Sequence, residues 1–265
     1  MYIQIMTRNH GLMITILIVI SIISMYISDN EYNERFSNPE NIEIVVARYN
    51  EDLEWLKEEP FNHYDVIIYN KGVNEEFYKP TLLKEVIRLP NTGVCDHTYL
   101  YHIIKNYDNL SNVTIFLPGS CMDPHKKEQT MKTVYKAIET NNTVFYGRYI
   151  EEENEIYNFS LNNWETTNEK NKEINPDSAL RPCNIRPFGK WIKTVLPNED
   201  IKYIVNGGIF AVSSNHIKTR SKEKYQELLG YVNKNKNEEC SHYLERSYIT
   251  LFLHDTANNK EYIYL

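Results

Sequence analysis

The segment Ile42–Leu56, IEIVVARYNEDLEWL, constrains the fold of this chain more than any other. Ile42, Ile44, Val45, Val46 and Ala47 form an apolar run of strand length, which stops at Arg48, Tyr49, Asn50, Glu51 and Asp52. Leu53, Trp55 and Leu56 then resume at helical spacing. A buried strand that delivers a cation, an amide and two carboxylates to one loop describes the carboxyl edge of an α/β sheet, where such folds bind ligands. Arg48, Asn50, Glu51 and Asp52 are therefore candidate binding residues. Asn50 is equally suited to cap a helix, with the two acids favouring its positive end. Arg48, at the end of a core strand, is expected to need an anionic partner.

The segments that follow alternate. Val66–Tyr69 reads as a strand closed by the turn Asn70-Lys71-Gly72, and Val86–Leu89 as another. Asp96 is placed to cap a helix over His97–Tyr107, whose apolar face is Leu100, Ile103, Ile104 and Tyr107. Val113–Leu117 is a strongly apolar strand, Lys126–Thr140 a helix and Thr143–Tyr146 a strand. This order predicts an α/β domain with a mostly parallel central sheet and helices on both faces. Arg148–Ser178 is polar and aperiodic and is read as excursion loops. Ile204–Val212 is read as strand around Asn206-Gly207-Gly208, and Lys222–Val232 and His242–Leu253 as helices. A chain of 265 residues with 25% charged side chains can bury one good-sized core. Its net charge of −7, with no basic cluster, argues against nucleic acid as a general partner.

Between Arg8 and Asp29 there is no charged residue. About 20 helical residues at about 1.5 Å each match a hydrocarbon core of about 30 Å. The reading is a cytosolic tail (1–10), a transmembrane signal anchor (11–28) in the lipid bilayer, a stem (29–40) and one domain (41–265). Arg8 before the run and Asp29, Glu31 and Glu34 after it orient the chain as a single-pass type II membrane protein, its domain luminal or extracellular. A cleavable signal peptide is the rival, although no A-x-A-like site follows. Sequons at Asn109, Asn112, Asn141 and Asn158 agree with a luminal glycoprotein. Cys95, Cys121, Cys183 and Cys240 allow two disulfides in three connectivities or free buried thiols, and their spacing is not that of a zinc site.

Four constellations can carry chemistry. Asp123 and His125, just past a central strand, can both reach one divalent ion, and Mn2+ or Mg2+ would suit those ligands together with a diphosphate. Asp123 as N-cap with Pro124 at N1 is the structural alternative. Gly207 and Gly208 let a sugar or diphosphate approach the backbone, or form a hairpin turn. Glu245, on a largely apolar helix, is expected to have a raised pKa or a cationic partner, either of which suits a general base. Arg181, Arg186 and Lys190 form the most basic short run, a diphosphate clamp or a solvated loop. His97 and His102 are five apart on one helix, a poor pair for a shared metal.

Taken in order, VVARYNEDLEWL, IIYNKG, LPNTGVCDHTYLYHIIKNYDNL, TIFLPG with DPH, GGIFAVSSNHI and YLERSYITLF resemble a glycosyltransferase-like family catalogued as domain of unknown function 3431. The resemblance spans roughly Ile42 to Phe252. It implies a GT-A-like fold and a membrane-anchored glycosyltransferase that moves a sugar from a nucleotide-sugar donor to a glycan or glycoprotein acceptor. Arg48, Asn50, Glu51, Asp52, Arg181, Arg186, Gly207 and Gly208 would then hold the donor, Asp123 and His125 a metal, and Glu245 would activate the acceptor. The chain departs from the pattern at Ser120, where the family has an acid, and at Val94, where it has an arginine. These departures leave room for a metal-independent branch using Arg or Lys, or for a catalytically inactive glycan- or protein-binding domain.

Overall fold

Seven consecutive buried residues, Ile42–Arg48, form strand β1 at the centre of a five-stranded sheet. The computed structural model describes Ser21 and residues 41–151, 153–163, 179–254 and 260–264. Beside β1 lie β2 (Asp65–Asn70) and then β3 (Leu83–Arg88) on one side, and β4 (Val113–Pro118) on the other, all parallel. The short pairs β5 (Phe145–Tyr146), β6 (Arg148–Tyr149) and β7 (Tyr203–Ile204) lie outside this sheet, and β8 (Phe210–Ser213) completes it antiparallel to β4. A last strand, β9 (Ile263–Tyr264), pairs with β5. The result is a mixed α/β domain with a mostly parallel central sheet.

Alternation along the strands divides the core. Val45, Ala47, Ile67, Tyr69 and Phe116 face one layer, and Ile44, Val46, Val66, Ile68, Ile115 and Leu117 the other. The first layer holds α1 (Val94–Asn106), α4 (Phe188–Val195), α6 (Lys222–Leu229) and α7 (Glu239–Phe252). The second holds α2 (Lys127–Thr140) and two single 3-10 turns, Glu54–Lys57 and Phe61–His63. Two short helices, α3 (Glu153–Tyr157) and α5 (Ser214–Ile217), and two further 3-10 turns, Tyr107–Asn109 and Lys260–Tyr262, are also described. Each Val or Ile fully buried between these layers stabilises the fold by about 1.5–3 kcal/mol before entropy is subtracted.

Several local expectations are corrected. The helix expected after β1 is one 3-10 turn: Leu53 sits at φ 61°, and Asp52 rather than Asn50 accepts the Glu54 N–H, at 3.1 Å. Helix α1 starts three residues early, at Val94, so Asp96 lies inside its first turn and not at its cap. Helix α2 starts at Lys127, and Asp123 serves it through its backbone carbonyl, which accepts from Lys126 and Lys127 at 2.8 and 3.0 Å. The cysteines give one disulfide, Cys183–Cys240, and leave Cys95 and Cys121 as thiols. Among the described residues no helix is long and apolar enough to cross a membrane, and the expected anchor at 11–28 lies, Ser21 apart, outside them.

Candidate functional site

From β1 the sheet grows one way through β2 and β3, and the next long strand, β4, joins on β1's opposite side. Connections leave β1 and β4 in opposite directions, and a crevice opens between their carboxyl ends. A cavity of about 470 Å³ lies there. Its walls include Ala47, Arg48 and Glu51 after β1, Lys71 after β2, and Ser120, Asp123, His125 and Lys126 after β4. Val94, Cys95 and Asp96 from the first turn of α1, Gly207 before β8, and His242, Glu245 and Arg246 from α7 close it.

Arg48 is the most buried charge on this wall, 0% exposed. The anionic partner expected for it is replaced by neutral oxygens. Its Nε donates to the Glu51 carbonyl at 2.7 Å, and Nη1 donates to Asn70 Oδ1 at 2.7 Å and the Asn74 carbonyl at 2.8 Å. The Phe77 ring lies 4.0 Å below the guanidinium. Burial lowers its pKa, opposed by the charges of Glu51 and Asp52. Arg48 thus ties the loops after β1 and β2 together. Its Nη2 has no hydrogen-bond partner among the described residues.

Glu51 folds back on its own loop, its Oε2 accepting from the Tyr49 and Asn50 N–H groups at 2.7 and 3.1 Å. The same oxygen lies 2.7 Å from where a Cβ on Gly119 would be, so a larger residue there would push the Glu51 carboxylate aside. Trp55 Nε1 donates to the Gly119 carbonyl at 3.1 Å.

Glu245 sits where α7 passes the Gly207–Gly208 turn. Both glycines have positive φ, 86° and 64°, which aims the Gly207 N–H at Glu245 Oε1, 2.7 Å away. Arg246, although its helical neighbour, reaches Glu245 Oε2 at 3.5 Å. Burial raises the Glu245 pKa; Arg246, the glycine N–H groups and Lys126 oppose it. Both features that the sequence left as alternatives stand at this position, a cation within reach and burial that raises proton affinity.

Residues the sequence reading assigned elsewhere share the cavity. Asp96 is 3% exposed, and burial together with nearby Glu245 pushes its pKa up to about 8. Tyr248, one turn after Glu245 on α7, donates its hydroxyl to Asp96 Oδ1. Lys71 is buried beside them and donates to the Thr92 and Val94 carbonyls; burial lowers its pKa to about 8. Val94 is held at φ 47°, a strained conformation for a β-branched residue that costs on the order of 1–3 kcal/mol. Lys126 Nζ donates to Ser120 Oγ at 2.9 Å. The signal for Lys71 was available in Asn70-Lys71-Gly72, since a strand-end lysine lies on the ligand edge. That for Asp96 was masked by its suitability as a cap.

Of the residues expected to bind a donor, Arg48, Glu51 and Gly207 line the cavity, whereas Asn50, Asp52, Arg181, Arg186 and Gly208 are not on its wall. Gly208 lies behind the wall, where its carbonyl accepts from Tyr99 at 2.8 Å. Arg181 is exposed. Arg186 pairs with the fully buried Glu239 at 2.9 Å and donates to the Leu161 carbonyl at 2.9 Å, tying Leu161 to α7. Asp123 and His125 both line the cavity, but among the described residues no three His, Cys, Asp or Glu side chains are grouped to hold a metal. His102 is a core residue, bonded to the Tyr69 hydroxyl at 3.0 Å, and burial lowers its pKa to about 3.

This arrangement sets the cations Lys126 and Arg246 on one cavity wall with the carboxyl groups of Asp96 and Glu245. No curated protein matches the chain. The family model described as "Protein of unknown function (DUF3431)" matches residues 44–262. That match runs from within β1 to the turn before β9, across the sheet and every wall of the cavity, and the chain belongs to the DUF3431 family.

Proposed function

We propose that this protein is a glycosyltransferase with a GT-A-like domain, which takes a nucleotide-sugar in the crevice between β1 and β4 and transfers the sugar to a glycan or glycoprotein hydroxyl. The single observation that carries the reading is the meeting of Glu245 with Lys126 and Arg246 in the cavity at the sheet's switch point. A site that only binds glycans has no need of a buried carboxylate with raised proton affinity, and such groups mark acid–base chemistry. The disulfide supports a luminal or extracellular domain, and the apolar run 11–28 supports a membrane anchor.

In the proposed reaction Glu245 accepts the proton of the acceptor hydroxyl as that oxygen bonds to the sugar's anomeric carbon. The bond from this carbon to the diphosphate oxygen breaks, and its electron pair leaves with the diphosphate. Lys126 and Arg246 stabilise the charge that develops there. Asp123 and His125 could supply two ligands to Mn2+ or Mg2+, the remainder coming from phosphate and water; no step here is routed through an ion.

Thermal unfolding of the full-length protein with a panel of nucleoside diphosphates, each with and without Mn2+, tests the reading. At least one nucleotide should raise Tm, by mass action on the native state. Glu245→Gln should keep that rise and lose transfer by about 10²–10⁴-fold. A panel with no shift removes the transferase reading, and transfer undiminished in Glu245→Gln removes the base assignment. A Mn2+-dependent shift that survives Asp123→Ala removes Asp123 as a ligand.

A further inference from the structure

Four carboxyl groups line the cavity, Glu51, Asp96, Asp123 and Glu245, and the charge of Glu245 acts on Asp96, which the proposed reaction does not use. Glu245 faces the cavity from α7 and Asp96 from the first turn of α1. Two ionised carboxylates buried together repel, and such pairs retain a proton between them. The surroundings decide where it resides. Glu245 receives the Gly207 N–H at 2.7 Å, lies 3.5 Å from Arg246, faces the charge of Lys126 and keeps 17% of its side chain exposed. Asp96 is buried more deeply, at 3% exposed. Its ionised form is helped by the Tyr248 hydroxyl, its own backbone N–H, the charge of Arg246 and that of Lys71, whose ammonium is already committed to the Thr92 and Val94 carbonyls. The ionised form is therefore better supported at Glu245.

We propose, resting on the reading of Glu245 as the base, that Asp96 is a positioning residue: it holds the pair's proton and leaves Glu245 as the ionised partner, free to accept one from the substrate. Burial and the Glu245 charge place the proton on Asp96, opposed by the Tyr248 hydroxyl and the charge of Lys71. Facing Asp96 are Glu245, Tyr248 and Arg246 from α7, Lys71 from the loop after β2, and Cys95 and Tyr99 from its own helix. Burial keeps the Cys95 thiol and the Tyr99 phenol protonated. Tyr248 cannot swing away from Asp96 easily, because its ring packs 4.6 Å from Phe210 and stacks 6.0 Å from Phe252. A neutral Asp96 also spares an incoming diphosphate a second negative charge.

Infrared difference spectra of the full-length protein, wild type minus Asp96→Asn, test this between pH 5 and 10. The expected result is a protonated-carboxyl band at pH 7 in the wild type only, titrating away near pH 8. Tyr248→Phe removes a bond that favours the ionised form, so it should move that midpoint upward. Kinetically, wild-type transfer should fall as Asp96 ionises near pH 8, and Asp96→Asn should lack that limb. Absence of the band at pH 7, or a band that persists in Asp96→Asn and disappears in Glu245→Gln, overturns the proposal. A Tyr248→Phe midpoint that stays or falls does the same. Because the band is read without turnover, its absence counts against Asp96 whatever the protein transfers. A band behaving as expected in a protein that transfers nothing counts only against the transferase reading.

Discussion

Arg48 shows how a residue chosen correctly from sequence can do a different job. Its position at the end of a buried strand made it conspicuous, and it does line the cavity. Its charge, however, is held by three loop carbonyls, an amide and an aromatic face, groups from residues 49, 51, 70, 74 and 77 whose convergence no local pattern records. Only the planar fork of arginine serves these directions together. Arg48→Lys should lower stability by about 2–4 kcal/mol, from lost charged hydrogen bonds worth about 1.5–3 kcal/mol each; urea unfolding measures it, and a loss within error would show the fork to be dispensable. Asp96 is the converse case, a residue filed as a cap that became part of the site. Its pKa stands near 8 against an ordinary 3.8. In that window the native chain holds a proton that the unfolded chain releases, so this stability is present in acid and is lost as pH rises through 8. Asparagine cannot ionise. The Tm of Asp96→Asn relative to wild type should therefore climb from pH 5 to 9, and a flat or descending difference contradicts the assignment.

Among the elements, those with an unambiguous period are legible: β1, β2, β4, the apolar face of α1 and the span of α2 fall close to where their sequences place them, although Tyr135, at an apolar position of α2, is exposed. Helix α4 was missed, because LRPCNIRPFGKW draws attention to its cations while Phe188, Trp191, Ile192 and Val195 supply the buried face. Helix α7 was recognised but begins three residues early, at Glu239, and the reason is tertiary. Glu239 is buried with four partners: Arg186, the N–H groups of Leu161 and Cys183, and the Tyr243 hydroxyl. Next to it Cys240 is bonded to Cys183 across 57 residues of sequence. This junction fixes the start of the helix that carries Glu245 and Tyr248. By chain entropy a loop of that size contributes about 4 kcal/mol. Cys183→Ser with Cys240→Ser should lose about 2–4 kcal/mol, and reductant should lower the wild-type Tm toward the variant's. Equal unfolding of oxidised protein and double variant would show the crosslink to be idle.

Across the whole molecule, the two edges of the sheet have separate tasks. At the amino edge Lys84 bridges Glu43 and Asp65 at 3.1 and 3.0 Å, a network that closes on itself. At the carboxyl edge the loops that follow β1, β2 and β4 line the cavity. A nucleoside diphosphate should therefore slow hydrogen exchange in residues 47–51, 94–96, 118–126 and 206–208 and leave residues 43–44, 65–66 and 84–85 unaltered. Mass-resolved exchange measures this, and protection at the amino edge alone would relocate the ligand. The mostly parallel sheet could be anticipated from alternating strands and helices. Its terminal strand could not, because Asn206-Gly207-Gly208 is compatible with a hairpin, a bend or a ligand turn, and local sequence does not state which way β8 runs.

The turn that leads into β8 has an electrical consequence. Its Gly207 N–H contacts Glu245 Oε1 at 2.7 Å, so one of the groups that steady this carboxylate is a fixed backbone dipole and not a side chain. A backbone amide carries no exchangeable charge state and cannot be recruited by a competing counterion. Part of the hold on Glu245 is therefore hard-wired, and should persist across changes of pH and salt that would dim a side-chain cation.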